Sequence, residues 1–164
     1  MQKNPEVPPN SKWVKSENLH LTLKFFGEVG EENRPLLESA LSKAAESGKT
    51  FAAEIQGIGA FPALRSARVL WAGVRDPAAN LRALARSVEE ETVRSGFPSS
   101  DKPFSEHLTL ARFKAFPRAN FIRLLEKDSE VSFGKMTVRC LCLIQSVLGS
   151  QGPAYQDLRQ WSLR

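Results

Sequence analysis

Histidine and cysteine are both scarce in this chain of 164 residues, at two each. The cysteines, Cys140 and Cys142, stand two apart in "VRCLCLIQSV". A disulfide between residues i and i+2 of a strand has poor geometry, so a disulfide framework is not expected, and the pair reads as buried thiols of a reducing compartment. No apolar run approaches the length of a membrane span. The polar start "MQKNPEVPPNSK" has no signal-peptide core, so a cytoplasmic protein is the default expectation. With neither cysteine nor acid clustered beside either histidine, a zinc site lacks its third and fourth ligands. No metal and no cofactor are expected.

What is present turns on those two histidines. Each heads the same tetrad: His20-Leu21-Thr22-Leu23 and His107-Leu108-Thr109-Leu110. The tetrad alternates polar and apolar, the period of a half-buried strand. His20 and Thr22 then share one face while Leu21 and Leu23 pack behind, and His107 and Thr109 repeat the pattern. A lone histidine on an alternating strand is more often structural than catalytic, but a core has no reason to place the only two in identical tetrads. Side by side, the strands would line a cleft with two imidazoles and two hydroxyls. Imidazole gives or takes a proton near neutral pH. Such a set suits in-line phosphoryl transfer, one histidine activating the nucleophile and the other protonating the leaving oxygen.

The rest of the chain reads as alternating strands and helices. Residues 1–12 form an irregular arm with three prolines. A strand is expected over about Leu19–Phe26, with Lys24 on the face of His20 and Thr22. Residues 27–49 read as a helix with Leu37, Ala40, Leu41 and Ala44 at helical spacing. A strand follows over about Thr50–Gln56, then a loop "GIGAFPALRSA" and a buried strand "RVLWAGV". Asp76 and Pro77 mark a second helix as N-cap and first residue, and Gly96 ends it. After the second tetrad strand, His107–Phe113, come a helix near 118–127, a short strand near 131–133, a long one near 137–147, the turn "GSQGPA" and a last strand. The result is an α+β chain, one domain or two small lobes sharing a core, carrying a weak repeat in which each tetrad strand precedes helix, strand, strand. The second tetrad is also preceded by a strand and a helix. The first is not, so an N-terminal strand and helix read as missing. An uncovered sheet edge would follow, with lower stability, dimerisation or domain swapping through it.

The paired tetrads resemble the 2H phosphoesterase superfamily. Three stretches, "ENLHLTLKFFGEV", "GAFPALRSARVLWAGV" and "PFSEHLTLARFK", narrow the resemblance to the bacterial and archaeal RNA 2′,3′-cyclic phosphodiesterases, historically called 2′-5′ RNA ligases. It runs from about Trp13 to the C-terminus. It implies a single bilobal α+β domain over 13–164, with two pseudo-symmetric antiparallel sheets facing a central cleft and helices outside, the first lobe lacking its N-terminal strand and helix. It implies hydrolysis of an RNA 2′,3′-cyclic phosphate to a 2′-phosphate without a metal, with His20 as proton donor, His107 as proton acceptor and Thr22 and Thr109 on the non-bridging oxygens. Reversal would join a cyclic phosphate to a 5′-hydroxyl.

Arg112 is the arginine the family sets near the phosphate, yet strict alternation puts it on the face opposite His107 and Thr109, so a bulge is required to turn it in. Phe25 stands where the family places an aromatic beside the substrate base, although its parity with Leu21 and Leu23 suits core packing equally. Lys24 would add positive charge, or be a solvated strand-end lysine. Glu106 replaces a proline common in the family. The net charge of +5 favours anionic partners such as RNA, and Arg65 and Arg68 are ordinary loop cations that could touch its backbone. The partners expected are RNA with cyclic phosphate ends or small cyclic nucleotides. The alternatives are a nucleotide-binding module with little turnover and an enzyme for another cyclic phosphate, such as that of ADP-ribose, with specificity in loops 57–66 and 97–105.

Overall fold

The computed structural model describes residues 7–8, 11–115, 119–127, 130–149 and 152–164. The elements run β1 (Lys12–Trp13), α1 (Arg34–Glu46), β2 (Phe51–Phe61), β3 (Val69–Arg75), α2 (Asn80–Arg94), β4 (His107–Arg112), α3 (Ala119–Lys127), β5 (Ser132–Val138), β6 (Cys140–Gly149) and β7 (Gly152–Ser162). This is an α+β fold with antiparallel sheets. The chain divides into two compact units, one of residues 1–22, 53–75 and 106–136, the other of 23–52, 76–105 and 137–164.

The first unit is built on a five-stranded sheet in the order β1-β4-β3-β2-β5. In β3 the continuous apolar run resolves into two faces. Leu70, Ala72 and Val74 are buried, and Val69, Trp71 and Gly73 alternate with them. Leu70 lies opposite Ala111 and Ala72 opposite Leu108 on β4. These residues belong to the core face, where Ala60, Ala67, Leu70, Ala111, Phe113, Phe121 and Leu125 cluster beneath α3. Removing that apolar surface from water at about 25 cal/mol per Å² is what holds the sheet to its helix. The other face of the sheet is left to the polar members of the tetrads.

The second unit packs α1 on α2, with β6 and β7 against α1. Leu37, Ala40, Leu41 and Ala44 of α1 and Leu81, Leu84, Ala85 and Val88 of α2 are the buried stripes, each at the i, i+3, i+4, i+7 spacing of one helix face. The hairpin β6–β7 adds Leu141 and Leu143, and Leu163 follows it into the core. A Cβ on Gly48 would stand 2.7 Å from Leu163 Cδ2, so the Leu163 side chain packs directly over this glycine. Cys140 and Cys142 lie part-buried with sulfurs 3.8 Å apart. Burial, the Cys140 thiol and Asp157 push the Cys142 thiol up to about 12, which leaves it a packing residue rather than a nucleophile.

Several elements differ from the sequence reading. The strand expected over 50–56 continues through the glycine-rich stretch to Phe61, with a bulge between Ile55 and Ile58. The arm ends earlier than Lys12, which pairs with Arg112 in β1. Most of that arm, Arg118 and the tip of the expected turn near 149–154 lie outside the described residues. Among the described residues the sheets have five strands and two, where the resemblance implied a pseudo-symmetric pair. Among the described residues no helix is long and apolar enough to cross a membrane.

The start of α2 is a further correction. Asp76 and Pro77 do not sit at the helix start, which comes at Asn80. Asp76 still serves the helix from a distance, accepting from the Leu81 amide at 2.7 Å and the Ala78 amide at 3.2 Å. The chain makes this possible by turning through Ala79, which holds φ 56° in the left-handed region. That conformation costs an L-residue about 1–2 kcal/mol and costs glycine almost nothing. Ala79→Gly is therefore expected to stabilise the protein by about 1 kcal/mol in urea unfolding, and a loss of stability would contradict the strain.

Lys24 anchors the second unit. Its side chain is 2% exposed and its ammonium lies 3.0 Å from Glu89 Oε2 and 3.0 Å from Thr92 Oγ1. Glu89 also accepts from the Ser100 amide and hydroxyl, both at 2.7 Å. Burial pushes the Glu89 carboxyl up, but the Ser100 and Lys24 hydrogen bonds outweigh it and hold it below the usual carboxylate range. A carboxylate with a lowered folded-state pKa contributes stability in full above the ordinary carboxylate range and loses it as pH falls through the lowered value. Glu89→Gln strands a buried ammonium and should cost about 2–3 kcal/mol near neutrality, less than a fully buried pair because Glu89 is partly exposed. The gap between parent and variant in urea melts should close on acidification; a gap independent of pH would refute the pairing.

Candidate active site

The histidines and threonines of both tetrads lie in the first unit, and one backbone pairing joins the tetrads. Leu21 pairs antiparallel with Leu108. In an antiparallel pairing each step along one chain is a step back along the other. His20 therefore lies across from Thr109, and Thr22 across from His107. Because Leu108 faces the core, Leu21 does too, and all four polar side chains are carried to the opposite face of the sheet. In this register each histidine stands across from the other tetrad's threonine.

The first tetrad does not form the expected strand. Val14 donates its amide to the Leu110 carbonyl at 2.9 Å, the chain then leaves the sheet through a 3-10 turn at Ser16–Asn18, and it rejoins at the single bridge of Leu21. The detour has a use. It brings the Asn18 carbonyl within 2.7 Å of His20 Nδ1. A carbonyl only accepts, so Nδ1 carries the proton.

The second tetrad is seated in a central strand. Trp71 stands opposite Thr109 and Gly73 opposite His107 on β3, then the register shifts, so that Leu70 stands opposite Ala111 and Val69 opposite Arg112. One step on β3 spans two on β4, which makes Leu110 the extra residue of a β-bulge. A bulge reverses alternation beyond it. Arg112 thus returns to the face of His107 and Thr109, where simple alternation would have hidden it. Leu110 packs on the core side.

Aromatic rings surround His107. Phe61 lies 5.1 Å from it, edge to face at 87°, Trp71 lies 6.3 Å away, and the two aromatics are 5.5 Å apart. Phe61 pairs with Val69 and Gly59 with Trp71, so both belong to the same face. The indole occupies the space above Gly59, where a Cβ would meet its ring at 2.1 Å. Trp71 Nε1 is buried and has no hydrogen-bond partner among the described residues. Sequence reading missed Phe61 and Trp71. The glycines at 59 and 73, each alternating with buried residues, were the available signal.

The remaining candidates have other settings. Lys24 and Phe25 belong to the second unit. Lys24 was expected to supply charge to substrate, but its ammonium is committed to Glu89 and Thr92. The chain has no strand beyond Leu21 to carry the alternation to residue 24. Phe25 is 80% exposed, so core packing does not describe it. Glu106 is half-buried, and its carbonyl accepts from the Val74 amide at 3.1 Å. Arg68 directs a guanidinium nitrogen to the Lys114 carbonyl at 2.5 Å. Among the described residues no group of three or more histidine, cysteine or acidic side chains could hold a metal ion.

The register thus sets two histidines, two threonines and, through the bulge, an arginine on one sheet face. Residues 9–149 match the model of the 2′-5′ RNA ligase superfamily, and the chain belongs to that family. It is 43% identical over 148 residues to the RNA 2′,3′-cyclic phosphodiesterase of Archaeoglobus fulgidus, covering 90% of this chain and 81% of the relative. It is 32% identical over 164 residues to the protein of the same name from Aquifex aeolicus, covering 99% and 87%. Among solved structures it resembles TT0787 of Thermus thermophilus, with a TM-score of 0.79, 32% identity and coverage of 95% and 84%. It also resembles E. coli LigT complexed with 3′-AMP, with a TM-score of 0.71, 29% identity and coverage of 96% and 84%.

The aromatic packing is open to test. Gly59→Ala must push the Trp71 ring toward His107 and should cost about 1–3 kcal/mol of stability, as overpacking does. It should also shift the His107 imidazole resonances in NMR spectra and leave those of His20 in place. Unchanged His107 resonances would show that the ring is held by something else.

Proposed function

We propose that this protein hydrolyses the 2′,3′-cyclic phosphate at an RNA 3′ end and leaves a 2′-phosphomonoester. The observation that carries the reading is the pairing of Leu21 with Leu108, which sets His20 across from Thr109 and Thr22 across from His107. The names of the relatives supply the ester. LigT, which the chain resembles, is known in complexes with 3′-AMP and with phosphate.

In this reading His107 takes a proton from water as the oxygen attacks phosphorus. His20, through Nε2, gives a proton to the departing 3′ oxygen in line with the attack. Thr22 and Thr109 donate to the non-bridging oxygens, whose charge builds in the transition state. Arg112, on the same face, adds a fixed positive charge and a planar pair of donors suited to phosphate. Phe61 and Trp71 hold the His107 ring in place. The proton from His20 meets the charge on the leaving oxygen, so the reaction asks for no Lewis acid. A 5′-hydroxyl in place of water would give a 2′-5′ linkage by the same steps, the ligation direction. Phe25 remains a candidate for the substrate base.

The test is hydrolysis of an oligonucleotide ending in a 2′,3′-cyclic phosphate, in the presence of a chelator. Turnover is expected in the parent. His20→Ala and His107→Ala should each lower kcat by about 10²–10⁴-fold, the usual range for a positioned acid or base. The pH–rate profile should be bell-shaped, because one imidazole must be protonated and the other neutral at the start of the reaction. Full activity in either variant, or loss of the parent's activity in chelator, would refute the mechanism. Tight nucleotide binding with no turnover would replace it with a binding role.

A further inference from the structure

Beyond the four tetrad side chains and Arg112, the same face carries a second cation. Lys12 pairs directly with Arg112 across the β1–β4 ladder. Directly opposed residues of antiparallel strands project on one side, with Cα atoms about 4.5–5.5 Å apart. Lys12 therefore stands on the face of Arg112, His107 and Thr109. Both cations are exposed, and among the described residues neither meets a carboxylate within ion-pair distance.

Like charges directly opposite one another on neighbouring strands destabilise a sheet. A lysine on an edge strand is common for another reason, since it discourages pairing with foreign strands. That reason does not call for its partner across the ladder to be an arginine turned the same way by a bulge. An anion held at each cation removes the repulsion. Thr109 and Arg112 already account for the reacting phosphate, and Lys12 lies one strand further out, on the far side of Arg112 from Val69 and Phe61.

We propose that Lys12, next to Arg112, binds a second phosphate of the polynucleotide backbone, so that the preferred substrate is an RNA strand rather than a lone cyclic nucleotide. The proposal rests on the hydrolytic reading above for the chemistry of its ligand, but its test does not depend on turnover. Equilibrium binding is measured for a trinucleotide ending in a 2′-phosphate and for a nucleoside 2′-phosphate, which carries no second phosphate, over a series of salt concentrations. The proteins are the parent, Lys12→Gln and Lys12→Arg.

The parent should bind the trinucleotide more tightly than the nucleoside 2′-phosphate. Lys12→Gln should weaken trinucleotide binding about tenfold, the size of one charge-assisted hydrogen bond. It should also reduce the slope of log affinity against log salt by about 0.7, the value for one phosphate of a single strand. Its affinity for the nucleoside 2′-phosphate should not change, and Lys12→Arg should bind both ligands as the parent does. Equal weakening of both ligands, or unchanged trinucleotide binding, would overturn the proposal. So would a parent that shows no preference for the trinucleotide. Binding that follows these expectations in a protein without hydrolytic turnover would retain the subsite and sink the enzymatic reading instead.

Discussion

One extra residue in β4 decides which side chains the site contains. Without Leu110 in a bulge, His107, Thr109 and Ala111 would share a face and Arg112 would point into the core beneath α3, an unpaired guanidinium among Leu70, Phe113 and Phe121. With the bulge, Ala111 fills that core at 0% exposure and the arginine joins the histidine. A single inserted residue thus solves a packing problem and an electrostatic one together. Bulges often serve to re-aim a side chain where a regular strand cannot.

The first tetrad depends on the second. It has no ladder of its own; it meets β4 at the bridge to Leu108, and His20 bonds the Asn18 carbonyl. The strand it leans on, β4, is a central one, flanked by β1 and β3 and backed by the α3 core. The asymmetry suits the chemistry assigned to each histidine. His107 sits in a rigid aromatic frame, with Trp71 over Gly59 and Phe61 edge to face. His20 sits where the Asn18 carbonyl fixes its tautomer.

Much of this was legible in the sequence because alternation is a local signal. The tetrads state which residues share a face, and the stripes of α1 and α2 state which sides are buried. The bulge could be required by argument, from the mismatch between the parity of Arg112 and its expected role, but not located. Nothing in "HLTLAR" marks Leu110 as the extra residue, since the shift shows only in the pairing with β3. Lys24 failed for the converse reason. Its parity with His20 and Thr22 assumed a strand that the chain abandons after one bridge, and the long-range partner Glu89 leaves no local trace. Lys12 was read with the proline-rich arm because two residues are too few for a pattern.

Where polar groups are satisfied and where they are not separates scaffold from site. In the second unit the buried cation Lys24 has an acid and a hydroxyl, and that acid is itself fixed by Ser100. Each group gains from the folded state, so the network needs nothing from outside. The site face of the first unit is different. It carries a buried indole N–H without a partner among the described residues, two cations opposed across a ladder, and a hydroxyl beside each imidazole. A buried donor left unpaired costs about 1–3 kcal/mol, and opposed like charges add to that. In a fold stable by only about 5–15 kcal/mol such costs are large, and in the proposed function a bound ligand repays them there. A phosphate diester, anionic and rich in acceptor oxygens, has the charge and the hydrogen-bonding sense to do so.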